Sequence, residues 1–210
     1  MFIRESFKID ENEILNRDKK LKEEVIKMFL ENFWALALHP NHYEKTDILE
    51  LKIELEAEAI PKRSRVRSLN PDQRANLKEQ LDKWIQQGVI EPANSPWASP
   101  SVLVKKKDGR TRWVTDLRLL NDVTFKDAYP HANIQENLQK LKGEKIFTSI
   151  NACGAYHCIQ IEEGSRNYMA FISPFGTFRY IQMPFGLSNT GSVYSRMLDL
   201  ALAYLPAEYW

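Results

Sequence analysis

Across residues 49–55 the side chains alternate without a break, with Leu49, Leu51, Ile53 and Leu55 on one side and Glu50, Lys52 and Glu54 on the other. An extended backbone points successive side chains to opposite faces, so this stretch predicts a strand half sunk in a core. A second period follows it. Asn70 and Pro71 read as an N-cap and a first-turn proline, and Leu77, Leu81, Trp84 and Ile85 recur at helical spacing until Gly88 closes the helix. With both periods in one chain, the predicted class is α+β.

The remaining elements keep that mixture. Residues 19–38 carry Leu21, Val25, Met28, Phe29, Phe33 and Leu36 at helical spacing, with lysines and glutamates on the other face and Pro40 as the stop. Two β-runs, 101–106 and 110–117, flank Lys107-Asp108-Gly109, the pattern of a hairpin. A short helix is expected over 134–142 with Gly143 behind it, then strands over 146–150, 156–161 and 169–173. A turn at Pro174-Phe175-Gly176 leads into a run over 177–183, and a last helix starts near Ser188.

Composition narrows the function classes. The 210 residues suffice for one large domain or two small ones, and 43% hydrophobic with 27% charged residues is ordinary for a folded chain. Net charge is only +1, from 29 basic and 28 acidic residues, so any hold on nucleic acid must come from local clustering. Cys153 and Cys158 match no metal spacing and read as reduced thiols of an intracellular protein, cytoplasmic or nuclear. Residues 1–10 lack the pattern of a secretory signal. The longest apolar run, 33–38, is too short for a bilayer, which takes about 20 residues, so no membrane partner is expected.

Charge does cluster at the hairpin. Lys105, Lys106, Lys107, Arg110 and Arg112 crowd its tip, with Trp113 beside them. Such a tip suits a triphosphate or a phosphate backbone, with the indole available for stacking. Taken alone it equally describes a solvated, lysine-rich turn. Residues 61–67, Pro-Lys-Arg-Ser-Arg-Val-Arg, form a second basic stretch of extended character.

A series of motifs then runs in order: Ile90-Glu-Pro, Ser95-Pro-Trp-Ala-Ser-Pro, Val104-Lys-Lys-Lys-Asp-Gly, Asp116-Leu-Arg with Leu120-Asn, and Lys126-Asp-Ala-Tyr-Pro. Phe147-Thr-Ser-Ile-Asn, Gly154-Ala-Tyr-His, Ala170-Phe with Pro174-Phe-Gly, and Met183-Pro-Phe-Gly-Leu-Ser-Asn complete it. Over residues 61–199 the series resembles the reverse transcriptases of long-terminal-repeat retrotransposons of the Ty3/gypsy type. Residues before Pro61 resemble the connector that precedes this domain in such polyproteins.

The resemblance implies the fingers and part of the palm of a right-hand polymerase, with the thumb absent. Its divisions would be a connector over 1–60, a fingers-like region over 61–145 and an incomplete palm over 146–210. Lys106 and Arg112 stand where the family's fingers grip the incoming triphosphate, and Asp116 and Arg118 match the stretch that braces them. The backbone at Gly154 and Ala155 would lie under the triphosphate. Tyr156 would stand against the sugar, where an aromatic ring excludes a 2′-hydroxyl, and Phe185 would line the same pocket. Lys105, Lys107, Arg110 and Trp113 are the expected contacts to RNA or DNA.

One position departs from the family in a way that bears on chemistry. Family polymerases use two Mg²⁺ ions about 3.5–4 Å apart, held by three aspartates, because hard cations want anionic oxygens. The first aspartate falls at Asn151, whose amide oxygen carries no charge, and the other two belong to a Tyr-x-Asp-Asp turn not found among the 210 residues. Glu162, Glu163, Asp199 and Glu208 are not placed by motif to replace them. The expectation is a reverse-transcriptase-like chain without polymerase activity and with no cofactor of its own, although the family uses Mg²⁺. The alternative is a binding module on the reused fold. It would hold RNA or DNA through the basic hairpin, or a protein partner or second copy through an exposed palm edge. Gly191, where many relatives have proline, weakens the start of the last helix.

Overall fold

The computed structural model describes residues 45–105, 111–130, 133–140, 142–143 and 154–203, and five positions of an earlier helix, Lys20, Glu23, Glu24, Lys27 and Glu31. The chain divides into two units, Met1–His42 with Leu141–Cys153, and Tyr43–Lys140 with Gly154–Trp210. In the first unit the five helical positions are exposed, with Lys27 Nζ 3.8 Å from Glu31. The apolar face expected of that helix, and the strand expected over 146–150, lie outside the described residues. The elements that follow all belong to the second unit.

Helix α1 spans Pro71–Gln86, and its own residues define its start. Asn70 Oδ1 accepts from the Gln73 N–H at 2.8 Å, and Gln73 Oε1 accepts from the Asn70 N–H at 3.1 Å, which satisfies two of the unpaired donors at a helix start. Leu77 and Leu81 are buried on its inner face, each worth about 1.5–3 kcal/mol relative to exposure. Ile85 departs from the expected apolar stripe and is 40% exposed. Eight residues at 3.6 per turn carry it about 80° round the helix from Leu77, to the rim of the buried face.

Among the described residues the main sheet has five strands: β2 (Ile90–Pro92), β3 (Ser99–Lys105), β4 (Thr111–Thr115), β6 (Ala170–Ser173) and β7 (Gly176–Tyr180), in the order β2-β7-β6-β3-β4. The expected basic hairpin is present as the antiparallel pair β3–β4, from Ser101 opposite Thr115 to Lys105 opposite Thr111. β6 and β7 make the second hairpin around Pro174 and Phe175, with the Ser173 hydroxyl donating to Gly176 O at 3.0 Å. β3 joins β6 in parallel at Ser99 and Pro100. Phe171 lies at the centre, its ring 5.8 Å from Phe178 and 5.1 Å from Tyr180.

Two strand expectations are corrected. Along 49–55 burial alternates as the pattern requires, but only β1 (Glu50–Leu51) is laddered, in parallel with β5 (Gln160–Ile161). Beyond it the backbone takes other partners: the Ile53 N–H donates to Ser165 Oγ at 2.9 Å, and the Phe125 N–H to Glu54 O at 2.9 Å. The strand expected over 156–161 shrinks to β5, because residues 154–158 form a turn. Gly154 opens that turn at φ +61, a left-handed conformation natural to glycine, and the His157 N–H donates to Gly154 O at 2.7 Å. Just past β5, Glu163–Arg166 form the short helix α4, with Glu163 paired to Arg166 and to Arg179.

Two more helices precede these: α2 (Arg118–Asn121) and α3 (Ile134–Lys140), with Lys142 in a turn where the helix was expected to reach. The last, α5 (Thr190–Leu202), opens with Thr-Gly-Ser-Val-Tyr-Ser, a run of weak helix formers. A polar stripe holds it. Asn189 Nδ2 donates to Phe125 O at 2.8 Å, and Asn189 Oδ1 accepts from the Asp127 N–H at 3.1 Å. Ser192 Oγ donates to Asp127 O at 3.2 Å, Arg196 Nη2 to Asp127 Oδ1 at 2.9 Å, and the Tyr129 hydroxyl to Asp199. Their three- and four-residue steps put these side chains along one face.

Candidate nucleotide and nucleic-acid site

The turn at 154–158 delivers Tyr156 into a cluster of rings. Its centroid lies 4.8 Å from Phe185 and 5.4 Å from Tyr194 of α5, both nearly edge to face. His157 reaches the same Phe185 ring at 5.9 Å. Burial pushes the His157 imidazole below its ordinary range, so it is neutral near pH 7. Phe185 remains 48% exposed. A large ring packed on one side and open on the other presents an apolar face to solvent and is not part of a sealed core.

Behind Phe185 the chain bends at Gly186, φ +99, where an added Cβ would sit 3.8 Å from Thr115 O. Asn121 holds the loop there: its Nδ2 donates to Gly186 O, and its Oδ1 accepts from the Ser188 N–H, both at 2.8 Å. Asn121 and Asn189 fall within two of the motifs, but the motifs give neither residue a role. Their partners lie 62–67 residues away, and no local period signals such a bond. Nearby, Cys158 Sγ donates to Ala155 O at 2.8 Å, and burial pushes that thiol up.

Of the expected phosphate contacts, Lys105 and Arg112 are exposed at the open end of the β3–β4 pair, with Arg112 opposite Val104. Lys106, Lys107 and Arg110 lie outside the described residues, as does Asn151. Trp113 does not offer the stacking face expected of it. It is 6% exposed, and its Nε1 donates to Asn76 of α1 at 2.8 Å. Alternation explains this, since a strand that turns Arg112 to solvent must turn Trp113 to the core.

Past β4, Asp116 and Arg118 close on each other through paired bonds, Nε to Oδ1 at 2.8 Å and Nη2 to Oδ2 at 2.6 Å. This Arg118 fork holds the Asp116 carboxyl below the usual carboxylate range, with Arg67 adding to the effect. The stretch 62–67 is extended and pinned beside Trp97-Ala98, with the Ser64 N–H donating to Ala98 O at 2.8 Å and the Ala98 N–H to Lys62 O at 3.0 Å. Arg63, Arg65 and Arg67 are exposed along it at every second residue.

Among the described residues no group of three or more His, Cys, Asp or Glu could hold a metal ion. Asp127 is bound to Arg196 and Glu163 to two arginines, so these acids do not fit a pair of Mg²⁺ ions. A cleft of about 470 Å³ is lined by Lys52, Glu54, Lys126, Asp127 and Arg196 among others, and by none of the residues expected to bind nucleotide. Among the described residues no helix is long and apolar enough to cross a membrane.

Comparison with known proteins agrees with the motif series. The family profile for reverse transcriptase (RNA-dependent DNA polymerase) matches residues 104–209. The Retrovirus-related Pol polyprotein from transposon opus of Drosophila melanogaster is 34% identical over 131 residues, covering 60% of this chain and 13% of that protein. The Transposon Tf2-3 polyprotein of Schizosaccharomyces pombe is 30% identical over 154 residues, 73% of this chain and 12% of that protein. The chain thus spans about an eighth of the length of these curated relatives. Among solved structures, a prototype foamy virus protease-reverse transcriptase (CSH mutant) superposes with a TM-score of 0.78 at 21% identity, covering 92% of this chain and 26% of that one. The foamy viral protease-reverse transcriptase in complex with RNA/DNA hybrid gives 0.73 at 18%, covering 93% and 27%. The chain belongs to the reverse transcriptase family, and its relatives are retrotransposon polyproteins of the Ty3/gypsy type.

Proposed function

We propose that this chain selects deoxynucleotides and grips nucleic acid as part of an RNA-directed DNA polymerase, and that with Asn151 it binds these ligands without joining them. The observation that carries the reading is Tyr156, fixed between Phe185 and Tyr194 beside a half-exposed wall. A deoxyribose laid on that ring fits, whereas a 2′-hydroxyl meets carbon it cannot displace. Gly154 and Ala155 put backbone instead of side chain under the triphosphate, and Arg112 with Lys106 supplies its countercharge.

Nucleic acid is held by two basic features, the hairpin residues Lys105, Lys107 and Arg110 and the exposed series Arg63, Arg65 and Arg67. Phosphate contacts of this kind are screened by salt. The foamy viral protease-reverse transcriptases in complex with RNA/DNA hybrid and with ds DNA support that partner class. Inactivity rests on charge. Asparagine at 151 offers a neutral oxygen where the family offers an anionic one, and hard divalent ions bind neutral oxygens less well. An intracellular setting, cytoplasmic or nuclear, goes with such work.

The test is primer extension with the purified chain, Mg²⁺, a primed RNA template and labelled deoxynucleotides. No extension is expected, while the same template is retained in a gel shift at 50 mM salt and released by about 200 mM. Extension overturns the inactivity, and failure to retain template at low salt overturns the grip.

A further inference from the structure

Tyr156 owes its place to two rings, and each ring is held from a distant stretch of chain by one asparagine. Phe185 leads into Gly186 and Ser188, and Asn121 grips both, donating to the carbonyl of one and accepting from the N–H of the other. Tyr194 stands on α5, and Asn189 in front of that helix reaches the opposite way, to Phe125 O and the Asp127 N–H. The clasp is reciprocal: residue 121 reaches forward to 186 and 188, and residue 189 reaches back to 125 and 127. An amide side chain supplies a donor and an acceptor at once, on two atoms at the end of one short stem. Asn189 is 8% exposed, so its bonds are sheltered from competing water.

We propose that Asn121 and Asn189 are positioning residues for sugar discrimination, Asn121 by setting Phe185 and Asn189 by setting Tyr194. The proposal rests on the nucleotide-binding reading above. Steric exclusion is steep in distance, and a misplacement of about 1 Å undoes a fitted contact. A Tyr156 ring whose neighbours have slackened can retreat from a 2′-hydroxyl while still accepting a deoxyribose. Loss of the clasp therefore alters the choice between sugars more than the hold on a nucleotide.

The experiment compares dGTP and GTP binding to the full chain in Mg²⁺ buffer, for the wild type, Asn121→Ala, Asn121→Asp and Ser101→Ala. Ser101 also bonds a distant carbonyl, Ile172 O at 3.1 Å, but outside the loop. The deoxy-over-ribo preference is expected to fall about threefold or more in Asn121→Ala, with dGTP affinity changed less. Asn121→Asp keeps the acceptor for Ser188 but sets a carboxylate oxygen against Gly186 O, so it should not recover the wild-type ratio. Ser101→Ala should keep the wild-type ratio. An unchanged ratio in a folded Asn121→Ala chain overturns the proposal. If the wild type binds neither nucleotide, the nucleotide-binding reading fails by itself, and amide hydrogen exchange over 185–188 reads the clasp. Faster exchange in Asn121→Ala than in Ser101→Ala then supports the positioning, and equal exchange overturns it.

Discussion

Asn70 and Asn189 stand at the same place in their helices, just before the first turn, and are used in opposite ways. Asn70 folds its side chain onto α1 and closes a capping box with Gln73. Asn189 makes no side-chain cap and gives its amide to Phe125 and Asp127, two stretches of the strap that also holds Ser192, Arg196 and Asp199. Both ends of the Asn189 amide are engaged by the distant segment, and its own helix receives no cap bond from it. Helix α1 is thus specified within its own residues, whereas α5, weak in its first turns, is specified by the segment that crosses it. The helix that carries Tyr194 is the one whose place depends on tertiary structure.

That contrast can be broken in several ways. The largest effect should come from emptying the seat of α1, since local specification of a helix does not dock it. Leu77→Ala removes a fully buried side chain and should cost about 2–5 kcal/mol in urea unfolding. A cost below about 1 kcal/mol would mean α1 needs no dock, and the contrast with α5 would collapse.

The same seat should show itself at alkaline pH. Tyr180, whose ring lies 6.2 Å from Trp84 of α1, is pushed by burial from 10.0 up to about 12. Its folded-state value is raised, so its contribution is fully present below pH 10 and is lost as pH rises toward about 12. The loss should reach about 2–3 kcal/mol. Tyr180→Phe should remove that part of the alkaline decline, and unchanged pH curves for the two proteins would place the decline elsewhere.

The two asparagines sharpen the contrast further. Asn189→Ala orphans the Phe125 carbonyl and the Asp127 N–H and should cost about 1–3 kcal/mol, against about 1 kcal/mol for Asn70→Ala. The aspartate variants separate the roles. Asn70→Asp keeps the capping acceptor and should stay near wild type, whereas Asn189→Asp sets a carboxylate against Phe125 O and should not recover. Equal recovery at both positions in thermal unfolding would show a common use. The smallest effect belongs to Lys78→Ala, which removes an i,i+4 pair with Asp82 whose side chains are 52% and 56% exposed. It should cost less than about 0.5 kcal/mol, and a larger value in urea unfolding would show that α1 leans on its surface charges.

Legibility followed the range of the interaction. Leu51 and Ile53 are buried while Lys52 and Glu54 are exposed, as the alternation at 49–55 requires. How far that run is laddered could not be read, because Ser165 and Glu54's partner Phe125 come from elsewhere in the chain. Trp113 was readable in principle: the same two-residue alternation that turns Arg112 outward turns the indole inward. The turn at Gly154 was hidden because an apolar run looks alike whether it is straight or bent. For the candidate site, the motifs named Tyr156 and Phe185, whereas the third ring, Tyr194, and the two asparagines behind the cluster emerged only with the fold.

By itself the sequence determined helix α1, the β3–β4 and β6–β7 hairpins and the burial pattern of 49–55, because each depends on periods and bonds within a few residues. Only the tertiary structure decided that Tyr156 stands between Phe185 and Tyr194 and that α5 is strapped by residues 125–129. Those contacts join stretches far apart in the chain, where side-chain pattern carries no information about the partner.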